Sequence, residues 1–535
     1  MEFSAHKYRY PSKRTLVYGN RGMVATSQPL AAQAGLDILK MGGNAVDAAI
    51  ATAACLTVTE PTSNGIGGDA FAIVWMDNKL FGLNASGKSP ESLSVEDLKR
   101  QGISEIPAWG PIPVNVPGAP SAWAALSEKF GRLSLKKSLQ PAIDYARNGY
   151  PVSPVTAENW QRAYEKAEKE FGDPMFKEWF RVFAPKGRAP RAGEVWASAD
   201  HANTLETIAD TNGKDFYEGS LSQQIHDFME TCGGYLTKHD LKSHEVIWEE
   251  PLTVNYRGYD IWELPPNGHG LVALMALNIM KQLPLGDKEN SDDLHLTMEA
   301  MKLAYTDGKA WIADPRHMTV TPEALLSEIY ARQRSRLIGE TAMEPAAGKP
   351  VSSGTVYLAT ADGEGNMVSF IQSNYMGFGS GLVVPGTGIS LHNRGHNFSM
   401  DATHPNCLAP GKRSYHTIIP GFITKDGAPV GPFGVMGGFM QPQGHIQLLS
   451  RVIDYGMNPQ TALDAPRWQW LGEKRFEVEM GMSELIVEEL RKRGHKITYQ
   501  QDRGSFGRGQ MIVRDVSGTL CGATEPRTDG AVAAW

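Results

Sequence analysis

The segment "GTVYLATADGEGNMVSFIQSN", residues 354–374, decides the fold of this chain, because it contains two strand-like runs separated by a turn. Apolar residues alternate with other residues over 356–358 and again over 368–370, which is the period of a half-buried strand. Residues 362–366 are rich in Gly and in side chains that accept positive φ, and this favours a turn. The pattern predicts a β-hairpin with Thr355 at the head of its first strand.

The stretch before this hairpin has a different character. Residues 343–354, "MEPAAGKPVSSG", are small, include two prolines and offer little to bury, so they indicate an exposed linker. A Thr that follows such a linker has an ordinary explanation, because Thr is a good strand former. The hairpin alone therefore assigns no function to Thr355.

The composition is that of an ordinary soluble protein. The chain has 535 residues, of which 41% are hydrophobic and 21% are charged. This length suggests about three or four domains of ~150 residues. The formal net charge of -7, with a pI of about 6.1, gives no reason to expect nucleic acid or an anionic membrane as a partner.

The sequence also bears on location. The first 20 residues lack the apolar core and small-residue cleavage site of a signal peptide, so none is predicted. No apolar run reaches the roughly 18 residues of a membrane span, and the best run, 270–280, is shorter. The four cysteines lie far apart without a C-x-x-C motif, which indicates reduced thiols and a cytoplasmic protein.

Helical and strand patterns mix along the whole chain, which predicts an α/β fold with buried sheets. Pro29 suits the start of a helix and Gly42-Gly43 its end, and residues 45–56 form an Ala-rich pattern typical of a buried helix. Residues 377–395 are rich in Gly and in strand formers. No repeat of 20–50 residues is present, so a solenoid is not expected.

Several common motifs are incomplete. The "GIGGD" loop lacks the Lys-Ser/Thr of a phosphate-binding P-loop, and "GFGSG" lacks the following helix and acid of a dinucleotide site. His392 and His396 have i, i+4 spacing but no acidic neighbours in sequence, so hydrogen bonding is favoured over metal binding. No Gly-x-Ser-x-Gly elbow occurs, and two Ser-x-x-Lys matches lack their partner motifs.

Thr355 could still act as a nucleophile without a side-chain base. If the chain is cut between Gly354 and Thr355, the Thr gains a free α-amine with an ordinary pKa of about 8. This amine can take the proton of the neighbouring hydroxyl, directly or through water. Gly354 suits the cut, because glycine tolerates strained backbone.

Motifs throughout the chain resemble the γ-glutamyltranspeptidase family, including its cephalosporin-acylase-like members. The motifs are "GGNAVDAAIATAACLTVTEP", "GIGGDAF", "VPGAPSAWAAL", "LPPNGHG", "EAMKLAYTD", "TVYLATADGEGN", "GFGSG", "GVMGG", "NPQTALDAPRW" and "EPRTDGAVAAW". The resemblance implies an N-terminal-nucleophile hydrolase with a four-layer αββα sandwich. It also implies a precursor that cuts itself into a large subunit, 1–354, and a small subunit, 355–535, which interleave in one domain.

The resemblance assigns the reaction machinery residue by residue. Thr355 matches the nucleophile that begins the small subunit. Gly437 and Gly438 match the pair whose backbone N–H groups form the oxyanion hole, and backbone donors suit this task because they are fixed before charge develops. Ser373 matches a supporting hydroxyl that is expected to hydrogen-bond Thr355.

The substrate pocket departs from the pattern of enzymes that act on glutathione. The position of the Arg that binds the glutamyl α-carboxylate falls on Ser86, and nearby Lys88 lacks the bidentate fork of Arg. The acid that meets the α-ammonium falls on Asn397, a neutral group, which weakens recognition of an ammonium.

Together with the other substitutions in the pocket, these departures make its predicted charge more positive. A Gln becomes Arg394 and an Asn becomes Tyr375, while two serines that meet the carboxylate become His416 and Thr417. A negative group is therefore lost and a positive group is gained. The glutamate-reading groups change although the reaction machinery stays, which leaves γ-glutamyl, glutaryl-like and other acyl donors open.

The resemblance implies a self-processing amide hydrolase or acyltransferase that acts through a Thr acyl-enzyme on γ-glutamyl amides such as glutathione. A glutaryl or cephalosporin-type acylase is the alternative, and an inactive relative that keeps the fold is a further one. No metal or organic cofactor is needed. The expected partners are a small-molecule amide and an amine acceptor, together with the two subunits of one precursor, whose further pairing is left open.

Overall fold

The computed structural model describes residue 10 and residues 14–345 and 354–535. It confirms the predicted hairpin: strand Gly354–Asp362 pairs antiparallel with strand Met367–Tyr375. The predicted linker, 343–354, falls largely outside the described residues, and so does most of the N-terminal stretch that was assessed for a signal peptide.

The hairpin forms the centre of a seven-stranded antiparallel sheet, called the hairpin sheet. Its strands, in spatial order, are Ala531–Ala534, Gly22–Thr26, Gly354–Asp362, Met367–Tyr375, Asp69–Met76, Lys79–Asn84 and Ile247–Glu249. Strands that precede and follow residue 354 in the chain are hydrogen-bonded neighbours in this sheet.

A second antiparallel sheet, also of seven strands, packs against it. Its strands, in spatial order, are Val17–Gly19, Leu520–Thr524, Arg508–Arg514, Ala428–Met436, Gly421–Lys425, Tyr259–Glu263 and Leu252–Tyr256. Two small sheets complete the strands, one of Trp468–Gly472, Arg475–Glu479 and Lys496–Gln500, the other of Tyr150–Pro151 and Val195–Trp196.

Side chains of strand Asp69–Met76 show how the layers are built. Ala70, Ala72 and Val74 belong to the core between the hairpin sheet and its helices. Phe71, Ile73 and Trp75 belong to the core between the two sheets. Because successive side chains of a strand point to opposite faces, this alternation places the sheet between two apolar layers. The predicted four-layer αββα sandwich is confirmed.

Helices cover both outer faces. In the described part of the chain, eleven helices lie on the side of the hairpin sheet and contribute to the cores there. They are Pro29–Lys40, Ala45–Thr59, Val95–Arg100, Ala119–Phe130, Leu135–Asn148, Pro154–Glu170, Lys177–Phe183, Ala199–Asp210, Lys214–Glu218, Ser220–Thr231 and Lys238–Lys242. Those on the side of the second sheet are Gly270–Met280, Ser291–Trp311, Pro322–Leu325, Glu328–Ser335, Gln441–Ile453, Pro459–Asp464 and Glu484–Lys492.

Several local predictions can be compared with these bounds. The helix predicted over 45–56 is Ala45–Thr59, and every one of its residues is buried. The segment 377–395 is rich in strand formers but does not form a continuous strand. It turns repeatedly, with positive φ at Gly377, Gly379, Gly381, Gly386 and Gly388. Only isolated bridges form there among the described residues, because so many turns prevent a continuous ladder.

The four cysteines are unpaired, as expected for reduced thiols. Among the described residues, no helix is both long enough and apolar enough to cross a membrane.

Candidate active site

Thr355 and Ser373 meet at the start of the hairpin. The register shifts by one residue between Gly354 and Val356, so that Ser373 and Asn374 both oppose Thr355. Bulges of this kind re-aim side chains next to active sites. Here the Ser373 Oγ lies 3.1 Å from the Thr355 Oγ1, and both residues are fully buried. The two hydroxyls form the hydrogen bond that the resemblance implied.

The Gly437–Gly438 pair follows the end of strand Ala428–Met436. Gly437 has a φ of 138° and Gly438 a φ of 57°, a region in which residues with a Cβ are strained. Within the part of the chain that the structure describes, neither N–H group donates a hydrogen bond to another residue. Both donors are therefore free to meet an oxygen that gains negative charge.

Gln441, three residues after Gly438, contacts Thr355. Its Nε2 lies 3.5 Å from the Thr355 Oγ1, a long contact, and its Oε1 accepts a hydrogen bond from the N–H of Ile419 at 2.9 Å. The side chain is fully buried. Gln441 was not predicted from the sequence, and the available signal was its place just after Gly437 and Gly438, at the start of helix Gln441–Ile453.

Four of the predicted pocket residues contact one another. The Tyr375 hydroxyl donates to the Asn397 Oδ1 at 2.5 Å, and the Asn397 Nδ2 donates to the main-chain oxygen of Tyr415 at 3.1 Å. The Arg394 guanidinium carbon lies 4.6 Å from the centre of the Tyr375 ring, and the Arg394 Nη1 donates to the Thr417 Oγ1 at 2.7 Å. Both polar atoms of the Asn397 carboxamide are thus engaged.

Arg394 and His416 meet at Asp69, which was not predicted as a site residue. The Arg394 Nε lies 3.2 Å and the His416 Nε2 2.8 Å from the Asp69 Oδ2, and the His392 Nε2 lies 3.5 Å from the other carboxylate oxygen. The positive charge expected from Arg394 is therefore matched by a carboxylate. The signal in the sequence was the acid that ends the "GIGGD" loop and begins a strand.

The charge state of this cluster follows from its burial. Burial alone would raise the pKa of the Asp69 carboxyl, but His392, His416 and Arg394 hold that pKa well below its ordinary value. Burial lowers the pKa of His416 to about 3 and also lowers the pKa of His392. At neutral pH the cluster holds an ionised Asp69, an ionised Arg394 and two neutral imidazoles, so its charges balance.

Ser86 and Lys88 stand apart from this cluster. The Ser86 Oγ accepts a hydrogen bond from the Asn267 Nδ2 at 3.2 Å, and the main-chain oxygen of Asn267 accepts one from the N–H of His416 at 2.9 Å. Ser86 therefore reaches the cluster through Asn267. Lys88 lines a separate small pocket with Asp240, so the structure does not bring it into the cluster.

One group of side chains has the composition of a metal site. It consists of His295, Glu299 and His495, whose ligand atoms lie within 4.8 Å of one another. The Lys302 ammonium already lies 2.5 Å from the Glu299 carboxylate, so a cation there would have to displace it. The hydrogen bonding predicted for His392 and His396 is confirmed: the His392 Nδ1 accepts a hydrogen bond from the N–H of Arg394 at 3.1 Å, and the His396 Nδ1 lies 2.7 Å from the main-chain oxygen of Ile106.

Comparison with known proteins agrees with this architecture. The family model described as Gamma-glutamyltranspeptidase matches residues 31–535. A crystal structure of cephalosporin acylase from Bacillus halodurans is 59% identical, superposes with a TM-score of 0.96, and is matched over 100% of this chain and 99% of that chain.

Two curated relatives match over nearly their whole length. The glutathione hydrolase-like YwrD proenzyme of Bacillus subtilis is 38% identical over 96% of this chain and 98% of its own. The oxamate amidohydrolase proenzyme of Klebsiella pneumoniae is 34% identical over the same shares, 96% and 98%. With the αββα sandwich and the Thr355–Ser373 pair at its centre, these matches show that the chain belongs to the gamma-glutamyltranspeptidase family of N-terminal-nucleophile hydrolases.

Proposed function

We propose that this chain is a self-processing amide hydrolase that forms an ester with its substrate on Thr355. The observation that carries the proposal is the Thr355–Ser373 pair, whose hydroxyl oxygens lie 3.1 Å apart where a new N-terminus would begin. The free N–H groups of Gly437 and Gly438 supply the oxyanion hole, and the Gln441 Nε2 lies 3.5 Å from the Thr355 Oγ1.

Maturation is an intramolecular acyl shift. The Thr355 Oγ attacks the carbonyl carbon of Gly354, an ester C–O bond forms, and the peptide C–N bond breaks. The proton of the hydroxyl moves to the departing nitrogen, which becomes the α-amine of Thr355. Water then hydrolyses the ester, restores the hydroxyl and leaves a carboxylate on Gly354. The products are the segments 1–354 and 355–535.

Turnover repeats the same chemistry on a substrate. The α-amine of Thr355 accepts the proton of Oγ as this oxygen attacks the amide carbon. The Gly437 and Gly438 N–H groups stabilise the oxyanion, and the leaving amine takes the proton as the C–N bond breaks. Water releases the acyl group from Thr355. An acceptor amine in place of water would make the enzyme a transferase.

The acyl group proposed here carries a free carboxylate and no ammonium. The Arg394 Nη2 is buried and has no hydrogen-bond partner among the described residues, so it can bind a carboxylate oxygen. Asn397, at the position expected to meet an ammonium, uses its polar atoms on Tyr375 and Tyr415. The Asp69 carboxylate of the same cluster is already engaged by Arg394 and His416, so an ammonium at Asn397 would be buried without an acidic partner of its own, which costs free energy. The name of one relative, oxamate amidohydrolase, supports an acid without an amino group, because oxamate has a carboxylate and an amide but no ammonium.

γ-Glutamyl amides such as glutathione are the second candidate, because one relative is named glutathione hydrolase-like and the family is that of gamma-glutamyltranspeptidase. Glutaryl 4-nitroanilide and γ-glutamyl 4-nitroanilide differ only in one ammonium group. We expect kcat/KM for the glutaryl amide to be at least about tenfold higher, the effect of roughly 1.4 kcal/mol. A preference for the γ-glutamyl amide would reverse the assignment.

The mass of the denatured protein tests the proposal as a whole. Wild type is expected to give two fragments that meet at Gly354 and Thr355, whereas Thr355→Ala stays whole. Thr355→Ser keeps a hydroxyl nucleophile and is the matched control, which should still be cut. If wild type stays whole and hydrolyses neither nitroanilide, the proposal fails and an inactive relative is the better description.

A further inference from the structure

A pocket of about 360 Å³ opens beside the oxyanion glycine. Gly437 forms part of its wall, and so do Met376 and Gly377, which directly follow Tyr375. The lining includes none of Arg394, Asn397 and Thr417. The pocket therefore borders the reaction centre without belonging to the cluster proposed to hold the acyl group.

The walls of this pocket are largely aromatic. The rings of Trp109, Phe171, Trp179 and Phe378 line it. Trp179 and Phe378 pack edge to face with centroids 5.2 Å apart, and both are almost fully buried. A fixed aromatic surface of this kind favours a flat or bulky apolar group.

The pocket also presents two cations with unused capacity. The Lys166 ammonium lies 4.4 Å from the centre of the Trp109 ring, and no carboxylate of a described residue lies within 4.0 Å of it. Arg508 is 8% exposed and pairs with Glu60 at 3.2 Å, but its Nε is buried without a hydrogen-bond partner in the described structure. A third cation, Arg162, is already neutralised by Asp502.

We propose that this pocket binds the amine half of the substrate, and that this amine carries a carboxylate on a flat or bulky apolar body. The carboxylate would lie between Lys166 and Arg508, and the apolar body against the aromatic walls. This inference rests on the proposed function, because it needs Gly437 to mark the reacting carbonyl. If the reacting carbonyl lies at Gly437 and the carboxylate of the acyl group lies at Arg394, the pocket remains available for the leaving amine.

A pair of fluorogenic amides tests the inference. Both carry a glutaryl group, one on 6-amino-2-naphthoic acid and the other on 6-amino-2-naphthamide, so they differ in one carboxylate of the leaving amine. Wild type is expected to favour the carboxylate amide in kcat/KM by about fivefold, the upper range for a partly exposed ion pair. Lys166→Met should remove this preference by lowering kcat/KM for the carboxylate amide about fivefold.

The control variant lies on the same helix. Lys169→Met removes an exposed ammonium three residues further along helix Pro154–Glu170, outside the pocket lining, and should keep the fivefold preference. Equal kcat/KM values for the two amides in wild type would overturn the inference. A wild-type preference that persists in Lys166→Met would overturn it as well.

Direct binding separates this inference from the proposed function. The free amines 6-amino-2-naphthoate and 6-amino-2-naphthamide can be titrated into wild type and Lys166→Met and followed by fluorescence anisotropy. Tighter binding of the carboxylate, lost in Lys166→Met, supports the subsite even if neither amide is hydrolysed, in which case only the proposed function fails. Hydrolysis of both amides without any preference in rate or binding overturns the subsite alone.

Discussion

Arg394 and Asp69 form a buried ion pair: the Arg394 Nε donates to the Asp69 Oδ2 at 3.2 Å, and each side chain is at most 1% exposed. The same carboxylate oxygen lies 2.8 Å from the His416 Nε2. Removing one member of such a pair leaves an uncompensated buried charge, which costs more than the pair itself contributes.

We therefore expect Arg394→Met to be destabilised by about 3–5 kcal/mol, and the double variant Asp69→Asn/Arg394→Met to recover most of that loss. Urea unfolding should be measured in the Thr355→Ala background, where one whole chain is expected. Arg100→Met is the matched control, because its pair with Asp97 has an Arg side chain that is 77% exposed and should change stability by less than about 1 kcal/mol. Additive losses in the double variant would contradict this coupling.

The Gly437 backbone predicts a strong effect of a single methyl group. A Cβ at Gly437 would lie 3.0 Å from the Cα of Gly507, and the φ of 138° is unfavourable for any residue with a side chain. Displacing this segment moves an N–H that is expected to stabilise the oxyanion, so Gly437→Ala should lower kcat by about 10²–10³-fold. Steady-state rates on glutaryl 4-nitroanilide measure this effect.

Gly427→Ala provides the control for backbone strain alone. Gly427 lies in the turn between strands Gly421–Lys425 and Ala428–Met436, the second of which leads into Gly437. Its φ is 76°, but a Cβ there would meet no atom within 4 Å. Its variant should lose about 1 kcal/mol of stability and keep the wild-type kcat. Equal losses of kcat in both variants would assign the effect to strain rather than to the oxyanion hole.

Much of the fold could be predicted from local patterns. The hairpin around Thr355 follows from its alternation and turn residues, and the buried helix from Ala45 follows from its composition. The segment 377–395 could not be predicted in this way, because its strand formers are interrupted by glycines that turn the chain. Local propensity does not decide whether such residues find a partner strand.

The candidate site divides along the same line. Thr355, Ser373, Gly437 and Gly438 were predicted from the resemblance, and the structure places Ser373 against Thr355. The partner of Arg394 could not be predicted, because Asp69 lies 325 residues away in the chain and only the fold brings the two together. The net charge of a pocket depends on such pairs. Comparing the pocket positions one at a time predicted a net positive charge from Arg394, but Asp69 neutralises it.

Removing the Ser373 hydroxyl is expected to slow maturation. Its Oγ contacts the Thr355 Oγ1 and also accepts a hydrogen bond from the N–H of Tyr375 at 2.8 Å, which fixes the hydroxyl in place. Loss of this hydrogen bond, worth about 1–1.5 kcal/mol, should slow cutting at Gly354 by roughly tenfold in Ser373→Ala. Ser373→Thr keeps the hydroxyl and should be cut faster than Ser373→Ala. The appearance of the two fragments over time measures both rates, and wild-type cutting in Ser373→Ala would remove Ser373 from the machinery.

The ion-pair network of Glu479 is expected to make the protein less stable in acid. The Glu479 Oε1 accepts a hydrogen bond from the Arg527 Nε at 2.7 Å, and Arg527 also pairs with Glu525. Glu525 in turn pairs with Arg467, whose Nη1 donates to the main-chain oxygen of Gly507 at 2.9 Å. Gly507 is the residue against which Gly437 packs, so this network supports the oxyanion hole.

Burial alone would raise the pKa of Glu479, but the charge and hydrogen bonds of Arg527 outweigh it and lower that pKa to about 2. A carboxyl whose pKa is lowered on folding contributes its full stability above its ordinary pKa of about 4.3 and loses it as the pH falls through the folded value. Between about pH 5 and pH 2, the single-chain Thr355→Ala protein should therefore lose on the order of 3 kcal/mol of unfolding free energy through this group. Adding Glu479→Gln should lower the stability at pH 7 and flatten its fall in acid, whereas Glu473→Gln, whose carboxylate is 61% exposed, should leave the curve unchanged. Urea unfolding at a series of pH values measures these slopes, and an equal fall in the Glu479→Gln variant would show that other carboxyl groups cause the acid sensitivity.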